Sequence, residues 1–171
     1  MLQKKICMLG SFAVGKTSLV QRFVTSIFSE KYLTTVGVKI DKKTITANGQ
    51  TVNRILWDLA GEDAFYKLQM SYLRGAAGYL VVVDGTRADT LETALSLIQK
   101  AETEFGKVPY VLLFNKVDLS DLWEFDPDLI LTLREKGDTV FETSAKSGQN
   151  VEAAFLSLAV NLLDTQKESP D

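Results

Sequence analysis

The sequence contains no histidine and a single cysteine, Cys7. Without an imidazole side chain, mechanisms that use a histidine base or a histidine metal ligand are excluded. One thiol cannot form an intramolecular disulfide, so the chain is expected in a reducing compartment. A basic surplus is also missing, because the formal net charge is −3 and the pI is about 5.1. This acidic balance argues against a surface for nucleic acid or anionic lipid.

Signals for export or membrane attachment are missing as well. The sequence has no apolar run of about 18 residues, the length that a membrane-spanning helix needs, and no signal-peptide pattern. Glycine does not follow Met1, and Ser169-Pro170-Asp171 contains no cysteine that could carry a lipid. We therefore expect a cytoplasmic protein with no direct membrane anchor in this chain. Membrane association would need a lipidated tail that has been removed, or a partner that supplies the attachment.

The order of the predicted elements indicates an α/β fold. A length of 171 residues suits one domain, residues 1–171, and 46% hydrophobic with 24% charged residues is typical of a globular chain. Apolar segments alternate with segments of helical periodicity, which predicts a three-layer fold around a mostly parallel sheet. We expect six strands, one of them an antiparallel edge strand, and about five helices. The polar residues from about 165 onward are expected to fray.

The predicted strands are residues 5–9, 38–47, 52–58, 78–84, 109–115 and 139–142. The predicted helices are residues 16–25, a short segment that ends near residue 74, and residues 89–105, 126–136 and 151–163. Asn48-Gly49 predicts a hairpin turn between the second and third strands. Asp89 and Glu92 fit a capping box at the start of one helix, and Asp126-Pro127 fits the start of another. Residues 119–125 are predicted to form a loop.

Residues 10–17 read GSFAVGKT and fit the phosphate-binding pattern G-x-x-x-x-G-K-[ST] in full. The pattern lies between a predicted strand and a predicted helix, where backbone N–H groups and the helix N-terminus can bind a phosphate. Gly10 and Gly15 let the backbone turn tightly and approach the phosphate. Lys16 can bridge terminal phosphates, and the Thr17 hydroxyl can ligate Mg²⁺. The nucleotide-binding residues predicted in this segment are Ala13, Val14, Gly15, Lys16, Thr17 and Ser18.

Two further segments predict contacts with the metal and with a terminal phosphate. Asp58 ends a predicted strand and can hold magnesium directly or through water, and the Gly61 N–H can reach a terminal phosphate. Thr34 and Thr35 lie in the loop before the antiparallel strand, and one of these hydroxyls could also reach the metal. That contact would form only when a third phosphate holds the loop closed.

Two segments at predicted strand ends favour guanine over adenine. Residues 115–118 read NKVD, and the Asp118 carboxylate can accept hydrogen bonds from the ring N–H and exocyclic amine of guanine. Adenine lacks this donor pair and would leave the charge unpaired. The apolar stem of Lys116 can lie along the purine face. In the segment TSAK, residues 143–146, the Ala145 N–H can donate to the guanine carbonyl oxygen.

In these motifs the sequence resembles the small Ras-like GTPases, and among them most closely the Rab branch. The likeness runs from the first predicted strand to the last predicted helix and includes KYLTTVGV (31–38), WDLAGED (57–63), SYLRGAAG (71–78) and FETSAKSGQNVEAAF (141–155). The resemblance implies a Ras-like G domain that binds GTP and GDP with Mg²⁺ and hydrolyses GTP. It also implies a molecular switch in signalling or vesicle trafficking.

The resemblance further implies roles for individual residues. The magnesium ligands would be Thr17, Thr35 and Asp58, and Phe28 would pack edge-on against the base. The guanine pocket would comprise Asn115, Lys116, Asp118, Ser144, Ala145 and Lys146. The catalytic set would be Lys16, Thr35, Gly61 and Glu62. Residues 29–38 and 59–72 would be switch segments that order with GTP and bind effectors, exchange factors and GTPase-activating proteins.

The sequence departs from the family pattern at positions that matter for hydrolysis. Glu62 stands where the family usually has a glutamine that orients the attacking water, and a carboxylate cannot donate to the transition state. Phe12 and Ala13 stand where the family prefers glycine or other small residues. A phenyl ring there would crowd any arginine finger, a group worth roughly 10³–10⁵ in rate. We therefore expect secure nucleotide binding by a monomer with slow intrinsic turnover.

Three functional classes remain open at this point. The first is a GTPase switch whose two states recruit different partners. The second is a GTP-locked scaffold in which hydrolysis is vestigial. The third, a P-loop kinase or ATPase, is disfavoured by Asp118 and by the lack of an arginine-rich lid segment.

Overall fold

The computed structural model describes residues 2–11, 13–25, 33–35, 38–47, 50–59 and 73–167. Side chains are described for residues 5–11, 13–23 and 73–162. The predicted turn at Asn48-Gly49 and most of the predicted helix that ends near residue 74 lie outside these ranges. Within them, no helix is long and apolar enough to cross a membrane.

Within the described residues, seven strands form one sheet, in the order β2-β3-β4-β1-β5-β6-β7. Their bounds are Leu2–Leu9 (β1), Leu33–Thr35 (β2), Val38–Ala47 (β3), Gln50–Leu59 (β4), Gly78–Asp84 (β5), Tyr110–Asn115 (β6) and Val140–Thr143 (β7). Strand β1 pairs in parallel with β4 on one side and with β5 on the other, and β6 and β7 continue the parallel arrangement. Every residue of β5 is buried, as expected for a parallel strand covered on both faces.

The sheet has one strand more than the six that the sequence predicts. Leu33–Thr35 pairs antiparallel with β3 and occupies the edge, so the antiparallel strand β3 lies one position inside it. Three residues are too few to show an alternating pattern, which is why this segment was predicted as a loop. The hairpin pairing predicted for the two long strands is confirmed, because β3 and β4 pair from Val38↔Leu59 to Ala47↔Gln50.

Helices cover both faces of this sheet. Their bounds are Lys16–Thr25 (α1), Asp89–Phe105 (α2), Pro127–Glu135 (α3) and Val151–Lys167 (α4). Alternate residues of β1 enter opposite clusters: Ile6 packs with side chains of α1 and α4, and Cys7 packs with side chains of α2 and α3. On the first face the rings of Phe23 and Phe155 stack with centroids 4.0 Å apart. The three-layer prediction is therefore confirmed.

The helix starts follow the sequence prediction in one case and depart from it in another. At α3, the Asp126 carboxylate accepts from the Asp128 N–H at 2.9 Å and Pro127 occupies the first turn, as predicted. At α2, the capping-box prediction is wrong, because Ala88 is the N-cap and makes no side-chain cap. The Ala88 N–H instead donates to Glu124 Oε1 at 2.7 Å, from a segment distant in sequence.

The loop predicted for residues 119–125 is wrong in part, because residues up to Leu122 belong to a 3₁₀ helix and residues 123–125 do not. Residues Val117–Leu122 form a 3₁₀ helix that is kinked at Leu119, where the backbone is not helical, and its N-cap is Lys116. The Glu124 N–H then donates to the Gly85 carbonyl at 2.8 Å, which ties the segment to the end of β5. The chain builds β2, β3 and β4 on one side of β1 and then β5, β6 and β7 on the other side. Such a reversal of strand order creates a crevice at the carboxyl ends of the strands.

Candidate functional site

The loop between β1 and α1 follows the carboxyl end of β1. At its two glycine positions, atoms of other strands lie too close for a side chain to fit. Gly10 has φ +151°, and a Cβ there would lie 2.5 Å from the Val82 carbonyl oxygen. Gly15 has φ +105°, and a Cβ there would collide with the Asn115 side-chain amide. Ala13 lies between them in the left-handed region, at φ 61°, which is costly for a residue with a Cβ. The loop thus packs against β5 and β6 through its bare backbone.

Lys16 begins α1 and is buried, with 5% of its surface exposed. Its Nζ donates to the carbonyl oxygens of Gly10 and Ser11, each at 2.9 Å. These bonds hold the ammonium against the loop and beside the N-terminus of α1. A positive charge, a helix N-terminus and glycines without side chains together suit a phosphate group.

Asn115, the last residue of β6, connects the loop after β1 with the end of β7. Its Nδ2 donates to the Val14 carbonyl at 3.0 Å, and its Oδ1 accepts from the Thr143 hydroxyl at 3.1 Å. Asn115 and Thr143 are both buried, and they are the last residues of β6 and β7, respectively. The amide therefore sets the distance between the β1 loop and the ends of the next strands.

Lys116 connects the same loop to β5. Its backbone is left-handed, at φ 72°, and its Nζ donates to the Ala13 carbonyl at 3.1 Å and to Asp84 Oδ2 at 2.7 Å. The sequence reasoning did not select Asp84 as a site residue. A signal was present, because one carboxylate ends a strand that is otherwise apolar, GYLVVVD.

Asp118 and Ser144 form a second polar pair between neighbouring strand ends. The Ser144 hydroxyl donates to Asp118 Oδ1 at 2.7 Å and accepts from the Ser147 N–H at 3.0 Å. Asp118 is exposed, whereas Ser144 is buried. The hydroxyl orients the carboxylate through one oxygen, and a carboxylate has further acceptor capacity for a ligand.

A cavity of about 470 Å³ opens among these groups. Its lining residues are Gly15, Ser18, Gln21, Arg22, Asn115, Lys116, Asp118, Leu119, Ala145 and Lys146. All of the lining residues except Gln21, Arg22 and Leu119 were selected from the sequence. Arg22 was missed because its role depends on tertiary structure: its Nη2 donates to the Ser147 carbonyl at 3.0 Å, beside the TSAK segment.

The sequence model of the Ras family matches residues 5–164. The chain belongs to the Ras family. Curated relatives of this Ras-family chain include "Ras-related protein Rab-10" of Diplobatis ommata, which is 32% identical over 98% of the chain and 85% of the relative. "Ras-related protein Rab-13" of Canis lupus familiaris is 34% identical over 93% and 79%, respectively. "Ras-related protein Rab7" of Drosophila melanogaster is 34% identical over 96% and 83%. The chain is thus a small GTPase of the Rab branch and a GTP-binding switch in trafficking or signalling.

The remaining predicted site residues of this Ras-family chain are only partly covered by the structure. Thr17 is exposed in the first turn of α1. Thr35 ends β2 and Asp58 pairs with Met8 near the end of β4, but their side chains lie outside the described set. Phe28, Gly61 and Glu62 lie outside the described residues altogether.

The Asp84 carboxylate of this Ras-family chain carries the clearest electrostatic perturbation near the cavity. Burial alone would raise its pKa, but hydrogen bonds from Lys116, Thr86 and Arg87 outweigh burial and lower the pKa from 3.8 to about 2. Asp84 is thus a fully buried carboxylate in its charged form.

Proposed function

We propose that this protein binds GTP and GDP in the cavity at the carboxyl ends of β1, β6 and β7, and that its intrinsic GTP hydrolysis is slow. One observation carries the binding proposal: the phosphate loop, Lys116 and Asp118 converge around a single cavity. A charged loop at one side and an oriented carboxylate at the other match the two ends of a nucleotide.

The base would lie between Lys116 and Asp118. The Asp118 carboxylate accepts the ring N–H and the exocyclic amine of guanine, with Ser144 holding it at 2.7 Å. The Lys116 stem supports the purine face, and the Ala145 N–H donates to the guanine carbonyl. Asn115 and Lys146 complete this end of the cavity.

The phosphates would lie on residues 13–18, with the Lys16 ammonium turning from its two carbonyl partners toward the terminal phosphates. A Cβ at Gly10 or Gly15 would collide with β5 or β6, so both glycines let the loop lie close against these strands. Magnesium would be held by Thr17, Thr35 and Asp58, whose oxygen atoms are ligands that Mg²⁺ prefers. The ion would neutralise phosphate charge during hydrolysis.

Slow turnover is supported by the chemistry of Glu62 and Phe12. A glutamate cannot donate a hydrogen bond when ionised, and it places negative charge near oxygens that gain charge in the transition state. Phe12, which lies outside the described residues, would add the bulk of a phenyl ring to the loop proposed to bind the terminal phosphate. Neither residue belongs to the guanine pocket. We therefore expect Glu62 and Phe12 to slow hydrolysis without weakening nucleotide binding.

A GTP-locked scaffold is the second candidate function, and the same Glu62 favours it. The nucleotide bound to freshly purified protein distinguishes the two, since a locked scaffold would retain mostly GTP. Partners would contact residues 29–38 and 59–72. The monomeric state, the single domain over residues 1–171 and the cytoplasmic location stay predictions.

The direct test combines binding and single-turnover hydrolysis of mant-GTP, with ATP as competitor. We expect magnesium-dependent binding that GTP reverses and equimolar ATP does not. Hydrolysis should be slower than that of glutamine-bearing relatives. Effective competition by ATP would contradict the guanine assignment, and fast turnover would contradict the role of Glu62.

A further inference from the structure

Asp84 lies outside the ligand cavity but touches the residue that forms one of its walls. It is the last residue of β5 and is fully buried, and the six residues before it carry no charge. A buried carboxylate is costly unless it is paired and hydrogen-bonded. The reason for a charge at this position therefore lies in its partners.

Four donors satisfy the Asp84 carboxylate. Three are local: the Thr86 N–H at 2.8 Å, the Thr86 hydroxyl at 2.7 Å and Arg87 Nε at 3.0 Å. These three bonds alone would be explained by a local turn at the end of the strand. The fourth donor, Lys116 Nζ at 2.7 Å, comes from the end of β6 and has no part in that turn.

Lys116 is held at both ends of its side chain. Its backbone is fixed in the left-handed region as the N-cap of the 3₁₀ helix, and its Nζ is held by Asp84 Oδ2 and the Ala13 carbonyl. The side chain is 31% exposed, so without these partners the ammonium could turn into water. The two contacts keep the methylene stem along the cavity wall.

We infer that Asp84 is a positioning residue for the nucleotide site and acts by anchoring Lys116. The inference rests on the proposed binding of guanine nucleotide in this cavity. Asp84 would contact no ligand atom. Its charge would hold the Lys116 ammonium at the junction of the β1 loop and β5, so that the stem is already ordered when the base binds.

The test is mant-GDP dissociation from the full chain, measured for Asp84→Asn, Lys116→Met and the double variant. Asparagine keeps the size of the side chain and removes the charge that anchors Lys116. We expect Asp84→Asn to speed dissociation about tenfold, the low end of the contribution of a charge-assisted hydrogen bond. In the Lys116→Met background the same substitution should change the rate less than about twofold, because the partner is already lost.

Two control variants separate positioning from simple folding support. Asp138→Asn removes a carboxylate that accepts from the Tyr110 hydroxyl at 2.9 Å near the start of β7, and it should leave dissociation unchanged. Arg87→Met removes a local partner of Asp84 but leaves Lys116 in place, so dissociation should again stay within about twofold of wild type. If Asp84→Asn fails to fold, the comparison of Arg87→Met with Lys116→Met still tests the inference, because equal acceleration of dissociation by both would overturn it.

The inference is overturned if the effects of Asp84→Asn and Lys116→Met simply add, or if Arg87→Met speeds dissociation as much as the loss of Lys116. No change with Asp84→Asn would overturn it too. Failure of the wild-type protein to bind mant-GDP would be a separate result, because it contradicts the proposed function itself.

Discussion

The side-chain amide of Asn115 occupies the space that a Cβ at Gly15 would need. From there it donates to the Val14 carbonyl at 3.0 Å. One amide therefore both occupies the space beside Gly15 and stabilises the phosphate loop by a hydrogen bond. The requirement for glycine at position 15 therefore comes from the contact with β6 within the protein itself. The contact predicts a change in protein stability that can be measured without nucleotide.

Gly15→Ala is expected to destabilise the fold by more than backbone strain alone. Alanine at φ +105° costs about 1–2 kcal/mol, and the collision with Asn115 adds the loss of its bond to Val14. Gly137→Ala is the matched control, because Gly137 has φ +100° with nothing within 4 Å of a Cβ. Urea unfolding of both variants measures the difference. Equal losses would show that the Asn115 contact contributes nothing.

Ala13→Gly is expected to stabilise the protein by about 1 kcal/mol. Ala13 adopts φ 61°, and glycine removes the Cβ penalty of that conformation at a smaller entropic cost. The Ala13 carbonyl still accepts from Lys116, so the loop contacts remain. Urea unfolding should show the opposite sign for Ala153→Gly, an exposed position inside α4. A loss of stability with Ala13→Gly would mean that the loop conformation is not strained.

Asp118→Asn is expected to lower GDP affinity and abolish the preference for GDP over IDP. Hypoxanthine lacks the exocyclic amine, so wild type should bind IDP roughly 10–100-fold more weakly than GDP, the value of one hydrogen bond to a charged acceptor. Competition against mant-GDP gives both affinities. Asp121→Asn, in the same 3₁₀ helix but not on the cavity wall, should change neither. Unchanged discrimination in Asp118→Asn would contradict the placement of the base.

Asp84 should make stability fall at low pH. Its pKa is lowered from 3.8 to about 2 in the folded chain, so the carboxylate stabilises the fold fully above pH 3.8. Protonation removes that contribution, about 2 kcal/mol, as the pH falls toward 2. The measurement is the difference in unfolding free energy between wild type and Asp84→Asn at several pH values. This difference should shrink from pH 5 to pH 2, and a constant difference would contradict the assignment.

The parts of the fold that follow local rules could be predicted from the sequence. The bounds of α1 and β5 agree with the prediction, because a full phosphate-loop pattern precedes one and a continuous apolar run forms the other. Most of the cavity lining was also selected, since the motifs NKVD and TSAK follow parallel strands whose ends share one rim.

The features that were missed depend on contacts between distant segments. The short strand Leu33–Thr35 exists through its pairing with β3, and three residues show no periodicity. The start of α2 is satisfied by Glu124 rather than by a local cap. Asp84 and Arg22 acquire their roles from Lys116 and Ser147, which are 32 and 125 residues away in sequence. Local sequence patterns carry no information about such partners.

Glu62→Gln is expected to speed single-turnover GTP hydrolysis, because a neutral amide can orient the attacking water and donate to the transition state. Phe12→Gly tests the second proposed obstacle, steric crowding of the phosphate loop. Measuring both variants and their combination separates the two causes. If Glu62 limits the rate, the gain appears with Glu62→Gln alone; if Phe12 limits it, the gain appears only when the ring is removed.

Glu104→Gln, an exposed position in α2, is the charge-matched control and should not change the rate. If neither substitution nor their combination speeds hydrolysis, the proposal that these residues cause slow turnover is wrong.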